Sequence, residues 1–244
     1  MDDSAAIFIP ARLASSRFPK KVLHGIAGKP MIIRVLERAQ KLNLCKCYVA
    51  CCCEEIKRVV EDYGGEAIIT DPELQSGTDR VFAAVETLDR KPEYVINLQG
   101  DTPVFDPLML SKSLEELKGN IEIDIATPAT YCESLSDAAN ENVVKAVFNN
   151  MENKMPGKAL YFSRSRIPHG ATFFYSHVGI YAYRYDSLKK FMSLPRTFCE
   201  RVERLEQLRA LQNGMTIHVV PTEGVALSVD VTDDLKAVLK HYVR

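Results

Sequence analysis

Arg12, Arg17, Lys20 and Lys21 crowd into ARLASSRFPKK, the stretch that directly follows the apolar run AAIFIP. Far along the chain, Gln99 and Asp101 close a second apolar run in VINLQGDTP, and Asp230 closes VALSVDV. Cations at one strand end and carboxylates at two others are the parts of phosphate chemistry. Arginine grips phosphate bidentately and lysine acts as a point charge. Two aspartates can hold Mg²⁺, which takes oxygen ligands from carboxylates and phosphates together. Ala14, Ser15 and Ser16 are small enough to let the backbone approach phosphates, and Pro19 keeps the segment from continuing as a helix. Because the formal net charge is only -1, the negative partner of this cluster has to come from outside, and a nucleoside triphosphate fits. Each feature alone also has a plainer role. A cationic segment after a strand is commonly a solvated loop, and a strand-end aspartate commonly caps a turn or a helix. The GIAGKP segment is no Walker loop, and no GxGxxG opens a helix.

The totals narrow the field. A chain of 244 residues with 46% hydrophobic content buries a sizeable core. A pI of about 6.5 gives no electrostatic footprint for nucleic acid. No apolar run reaches the roughly 18 residues a membrane span needs, so no membrane insertion is expected. MDDSA leads into a strand without the pattern of a secretory signal, and a cytoplasmic location is the expectation. Five of seven cysteines crowd into CKCYVACCC, with Cys132 and Cys199 far away. No second ligand pair stands at zinc spacing, so these read as reduced, small hydrophobic residues.

The elements that must position these residues follow from periodicity. AAIFIP, CYVACC, EAIIT and YVINLQG read as strands. MIIRVLERAQKL, EEIKRVVEDYGG and GTDRVFAAVETL between them read as helices. Apolar strands alternating with helices predict a doubly wound α/β fold with a mostly parallel sheet covered on both faces. In such sheets ligands bind beyond the carboxyl ends of the strands, which is where the cations and carboxylates fall. After about residue 105 the rhythm loosens. IDIATPAT, NVVKAVFN and HVGIYAYR read as strands of a mixed sheet, and YFSRSRIPHGATFFYSH as a long polar and aromatic connection. CERVERLEQLRALQNG reads as one helix, TIHVVP and VALSVDV as late strands, and TDDLKAVLKHYV as a terminal helix capped by Thr232. One domain over 1–244 is expected, with a less regular inserted lobe around 130–185.

IPARLASSRFPKKVLHGIAGKPMI, QSGTDR, VINLQGDTP, LYFSRSRIP, HVGIYAYR, ERLEQLRAL and LSVDVTDDL occur in that order. Together they resemble the 3-deoxy-manno-octulosonate (Kdo) cytidylyltransferases, or CMP-Kdo synthetases, over nearly the whole chain. The GKP and QGD pieces are shared by many nucleotidylyltransferases, whereas HxGIYxY and LEQLR are particular to the Kdo enzymes. The resemblance implies a nucleotide-diphospho-sugar transferase-like fold and CMP transfer from CTP to Kdo for lipopolysaccharide precursor synthesis, with Mg²⁺ and a homodimer. It implies that Arg12, Arg17 and Lys21 lie along the CTP phosphates, and that Ser76, Gly77, Thr78 and Arg80 contact nucleotide. Asp101 and Asp230 would hold the metal. Gln99, Arg164, His177, Tyr181, Glu206 and Gln207 would line the sugar-acid pocket. On their own residues, His177 and Tyr181 read more readily as satisfied core side chains, and Arg164 also as a structural ion-pair partner.

The chain departs from the family pattern at several places, one of them the short stretch between RIP and HVGIY. Lys20 stands where glycine is usual, adding a phosphate contact or pointing to solvent. Val22 stands where proline is usual, Thr102 where glutamate is usual, and Cys51 to Cys53 replace a strand end with threonine and aspartate. A cytidylyltransferase for another acidic sugar, sialic-acid-like or amino-Kdo, is the alternative reading. A metal-dependent glycosyltransferase would carry a DxD motif, and QGDTP offers a single aspartate.

Overall fold

Seven consecutive buried residues, Ala5–Ala11, form β1. A strand buried at every position needs cover on both faces, which is the signature of a parallel sheet between helices. The computed structural model describes residues 1–14 and 18–242, so Arg17, with Ser15 and Ser16, lies outside the described residues. After β1 come a small hairpin of β2 (Gly25–Ile26) and β3 (Lys29–Pro30), then α1 (Met31–Gln40). β4 (Lys46–Cys51), α2 (Glu54–Asp62), β5 (Glu66–Ile69), α3 (Gly77–Thr87) and the wholly buried β6 (Tyr94–Leu98) follow. The strands lie in the order β6-β1-β4-β5, all parallel. The parallel α/β arrangement expected from the sequence is present. Ile32, Val35, Leu36 and Ala39 of α1 are buried at helical spacing, as periodicity predicts.

The chain groups into two compact units, Met1–Leu108 with Val225–Arg244, and Met109–Gly224. Unit 2 opens with α4 (Leu108–Gly119) and continues through β7 (Ile125–Cys132), α5 (Leu135–Ala139), β8 (Lys145–Phe148) and β9 (Gly157–Ser163). It closes with β10 (Phe174–His177), β11 (Ile180–Arg184), α6 (Tyr185–Ser193), α7 (Phe198–Glu203), α8 (Gln207–Gln212) and β12 (Ile217–Thr222). Its pairing is mixed, as expected. β7 runs parallel to β12 and antiparallel to β10 and β11. Through the antiparallel pairs β10–β8, β8–β9 and β9–β12, the ladders return to β7 in a closed circuit. The chain then re-enters unit 1 and ends in α9 (Asp234–Leu239). There Val229 and Val238 join Phe18, Ile26, Met31 and Val104 in one buried cluster, with Tyr242 packed against it.

Several expected elements differ. VALSVDV forms no strand; its one ladder contact is the isolated antiparallel bridge Val104–Leu227. Val229 and Leu227 pack into a buried cluster rather than onto a sheet face, while Val225 and Val231 are exposed. CERVERLEQLRALQNG is two helices, because Arg204 takes φ 55° and ends α7 in the left-handed region. The long polar connection contains β9 at its start and β10 at its end, while HVGIYAYR is split between β10 and β11. The cap of α9 is Asp233 rather than Thr232.

Candidate active site

The carboxyl end of β1 and the loop after β6 border a cavity of about 250 Å³ in unit 1. Arg12, Lys21, Ser76, Gly77, Arg80, Gln99, Asp101 and Asp230 all line it. Of the described phosphate and metal candidates only Thr78 does not line this cavity, and it is buried. Arg12 is exposed at the mouth. Lys21 begins a single 3₁₀ turn, Lys21–Leu23, and its ammonium donates to Asp101 Oδ2 at 2.7 Å and stands 3.6 Å from Asp230 Oδ1. Thus the two aspartates, distant in sequence, meet at one cation.

The return segment brings Asp230 there. Val229 N–H donates to the Asp101 carbonyl at 2.9 Å, Leu227 N–H to that of Val104 at 2.8 Å, and Thr102 Oγ1 lies 3.0 Å from Ser228 Oγ. Thr102 is buried in this seam, which gives the residue standing in place of glutamate a structural task. The Asp234 carboxylate then accepts from the N–H groups of Asp230 and Val231, fixing the bend. Asp101 and Asp230 satisfy the donor chemistry of Mg²⁺: two hard oxygen ligands converge on one point beside an open cavity, leaving further positions for water and phosphate.

Ser76 starts α3 through a capping box with Asp79. At Gly77 a Cβ would come within 3.2 Å of Pro10 Cγ and 3.3 Å of Gln99 Oε1, so glycine lets the helix start sit close to both. Gln99 Nε2 donates to Asn97 Oδ1 at 3.1 Å, and Asn97 Nδ2 to Thr78 Oγ1 at 3.2 Å. This buried relay turns the Gln99 carbonyl oxygen toward Gly77 and the cavity. Arg80 is almost wholly buried and donates to Thr70 Oγ1 at 2.6 Å and to the Asp71 carbonyl at 3.0 Å, so it pins the 70–72 loop while bordering the cavity. Lys20 turns away from the aspartates and pairs with Glu55 at 2.8 Å. Its φ of 53° explains why glycine suits that position. Cys51 is buried at the end of β4, and burial pushes its thiol up to about 11.

Of the sugar-pocket candidates, Gln99 belongs to unit 1 and the other five to unit 2. His177 and Tyr181 place their rings 5.5 Å apart, and the Tyr181 hydroxyl donates to Gln207 Oε1 at 3.2 Å. Glu206 precedes Gln207 at the start of α8. Thr127 Oγ1 donates to the Ile180 carbonyl at 2.7 Å, so it accepts from His177 Nε2 at 2.8 Å. The imidazole is thereby held as the Nε2–H tautomer, with Nδ1 as an acceptor. Burial lowers the His177 pKa to about 3, and burial with the nearby Glu206 charge raises that of Tyr181. Arg164 donates to the carbonyls of Glu203 at 2.8 Å and Glu141 at 2.9 Å. Its own N–H is held by the Glu203 carboxylate, which also accepts from Ser163. Fully buried Lys145 donates to the carbonyls of Asn140, Val143 and Arg164. Burial and the Arg164 charge lower its pKa. Asn97 and Glu203, inside the quoted VINLQGDTP and ERLEQLRAL, were not singled out from sequence, and Thr127 and Lys145 sit in strands without a motif of their own.

Comparison with known proteins identifies the family. The Cytidylyltransferase family model matches residues 6–217. The 3-deoxy-manno-octulosonate cytidylyltransferase of Rickettsia felis is 44% identical, covering 97% of this chain and 94% of that protein. That of Rhodospirillum rubrum is also 44% identical, over 94% and 92%. A CMP:2-keto-3-deoxy-manno-octonic acid synthetase solved in complex with CTP superposes with a TM-score of 0.89 at 36% identity, covering 98% of both chains. A 4-diphosphocytidyl-2C-methyl-D-erythritol synthase from Anaerococcus prevotii, at 15% identity and a TM-score of 0.64, shares the fold. With the described motifs, their rim geometry and these relatives in agreement, the chain belongs to the 3-deoxy-manno-octulosonate cytidylyltransferase family.

Proposed function

We propose that the protein transfers CMP from CTP to the anomeric hydroxyl of Kdo, releasing pyrophosphate, and that the unit 1 cavity receives the nucleotide. The observation that carries this is the convergence of Lys21, Asp101 and Asp230 on the rim of that cavity, in a chain of this family. Arg12 and Lys21 neutralise the triphosphate, and Arg17 is proposed beside them on the family resemblance. The start of α3, with Ser76, Gly77 and Thr78, and Arg80 behind it shape the nucleotide side. When bound, Mg²⁺ held by Asp101 and Asp230 supplies Lewis-acid stabilisation of phosphate charge. The anomeric oxygen attacks the α-phosphorus in line as pyrophosphate departs, so the protein's work is positioning and charge neutralisation.

On the sugar side, Arg164 offers the cation for the Kdo carboxylate, and its two carbonyl contacts fix its plane. His177 Nδ1, Glu206 and Gln207 meet hydroxyls, Tyr181 orients the Gln207 amide, and Gln99 is proposed as a sugar contact on the family resemblance alone. Gln207 Nε2 is buried without a hydrogen-bond partner, a donor left over in this cluster. A homodimer is proposed from the family resemblance, with equilibrium sedimentation as its check. The functional test is pyrophosphate release with CTP, Mg²⁺ and Kdo, run in parallel with sialic acid. Kdo alone should support turnover; preference for sialic acid would move the protein to the other acidic-sugar reading. Asp101→Asn and Asp230→Asn should each lower kcat by about 100-fold or more with the fold intact. Near-normal turnover in either variant removes the metal assignment.

A further inference from the structure

Lys21 Nζ occupies the point where two carboxylates converge, 2.7 Å from Asp101 and 3.6 Å from Asp230. A divalent ion shared by those carboxylates has to engage the same two side chains, where the ammonium and the ion would repel each other. The backbone under Lys21 is fixed. Leu23 N–H donates to the Lys20 carbonyl at 2.9 Å, His24 N–H to that of Lys21 at 3.0 Å, and Val22 is buried. Only the side chain can relocate, and a lysine ammonium on a four-carbon stem does so readily. The space beside it is the cavity that Arg12, Ser76 and Gly77 also border, where the triphosphate is proposed to lie.

We infer that Lys21 gates the metal position. In nucleotide-free protein its ammonium closes the Asp101–Asp230 pair against a divalent ion. A triphosphate draws the ammonium onto its own oxygens and opens the pair for the ion that arrives with it. The inference rests on Asp101 and Asp230 being the metal ligands. Charge stays compensated throughout: lysine neutralises carboxylate before binding and phosphate afterwards, while the ion replaces it between the aspartates. Mg²⁺ gives up its water reluctantly, so two carboxylates already engaged by an ammonium are a poor site for it. Metal and nucleotide binding are then positively coupled, and the coupling is reciprocal.

Mn²⁺ as a paramagnetic substitute for Mg²⁺ tests this by direct titration, followed by electron paramagnetic resonance, with and without CTP and without sugar. Without CTP, wild type should bind Mn²⁺ weakly. Lys21→Met, which keeps the stem and removes the charge, should bind it at least about tenfold more tightly, a factor equivalent to roughly 1.4 kcal/mol. Lys21→Arg should stay weak. Equal nucleotide-free affinity of wild type and Lys21→Met overturns the gate. Asp101→Asn separates this result from the reading beneath it. If that variant binds Mn²⁺ as wild type does in the presence of CTP, the metal ligands themselves are misassigned. Should Lys21→Met not fold, wild type alone decides. Mg²⁺ without nucleotide should leave its Tm unchanged and Mg²⁺ with CTP should raise it, whereas a rise with Mg²⁺ alone refutes the gate.

Discussion

His177 and Lys20 show how single residues carry more than their types announce. The Thr127 hydroxyl spends its proton on the Ile180 carbonyl, which leaves it only as acceptor for His177. With its pKa lowered to about 3 by burial, His177 stays neutral in native protein at pH values where it takes a proton in the unfolded chain. Its contribution is therefore intact above about 6.5 and is lost as pH falls from there toward 3. Thermal unfolding across pH should show wild type losing stability on acidification relative to His177→Gln; parallel profiles would contradict the assignment. Arg164→Ala should raise the Kdo KM about tenfold while the CTP KM moves less than about twofold. The reverse pattern would place Arg164 with the nucleotide. Lys20→Gly relieves a left-handed non-glycine residue at the cost of an exposed ion pair with Glu55. Denaturant unfolding should find it up to about 1 kcal/mol more stable.

At the level of elements, the alternation of apolar strands and amphipathic helices was legible because β1 and β6 are buried on both faces and α1 buries a single stripe. What was not legible depends on contacts distant in sequence. VALSVDV alternates like a strand, yet Val229 joins a cluster with Phe18, Ile26 and Met31 and Leu227 packs against it, so pattern alone placed it wrongly. CERVERLEQLRALQNG has helical spacing throughout, and no local signal marks the reversal at Arg204. That break is held by a buried bidentate pair. Arg209 donates to Glu200 at 3.0 Å through Nε and at 2.6 Å through a terminal nitrogen. Arg209→Met should cost about 3–5 kcal/mol, because the buried Glu200 carboxylate loses its countercharge and keeps only the Thr197 N–H; calorimetry showing less than about 1 kcal/mol would discount the pair. For the site, strand-end logic led to Arg12, Lys21 and Asp101 on one rim, Asp230 reaches it on a segment that is no strand, and the sugar candidates came from resemblance, since nothing in HVGIYAYR alone distinguishes a pocket from a core.

On the scale of the whole molecule, the described nucleotide candidates all belong to unit 1, and every sugar candidate except Gln99 belongs to unit 2. Hydrogen exchange should therefore respond in separate places: CTP with Mg²⁺ slowing 20–24, 76–80, 99–102 and 227–231, and subsequent product formation slowing 177–181 and 203–207. Protection of the second set by CTP alone would contradict that division of labour. The division of unit 1 into two stretches of sequence has a consequence for biosynthesis. Asp230 and the cluster residues Val229 and Val238 are translated only after all of unit 2, although domains commonly fold as they emerge. The ribosome thus delivers a first stretch whose core and cavity rim must wait, half-finished, while a later-made neighbour matures. A message cut short after residue 224 would yield a protein with a complete second unit and no chemistry at all.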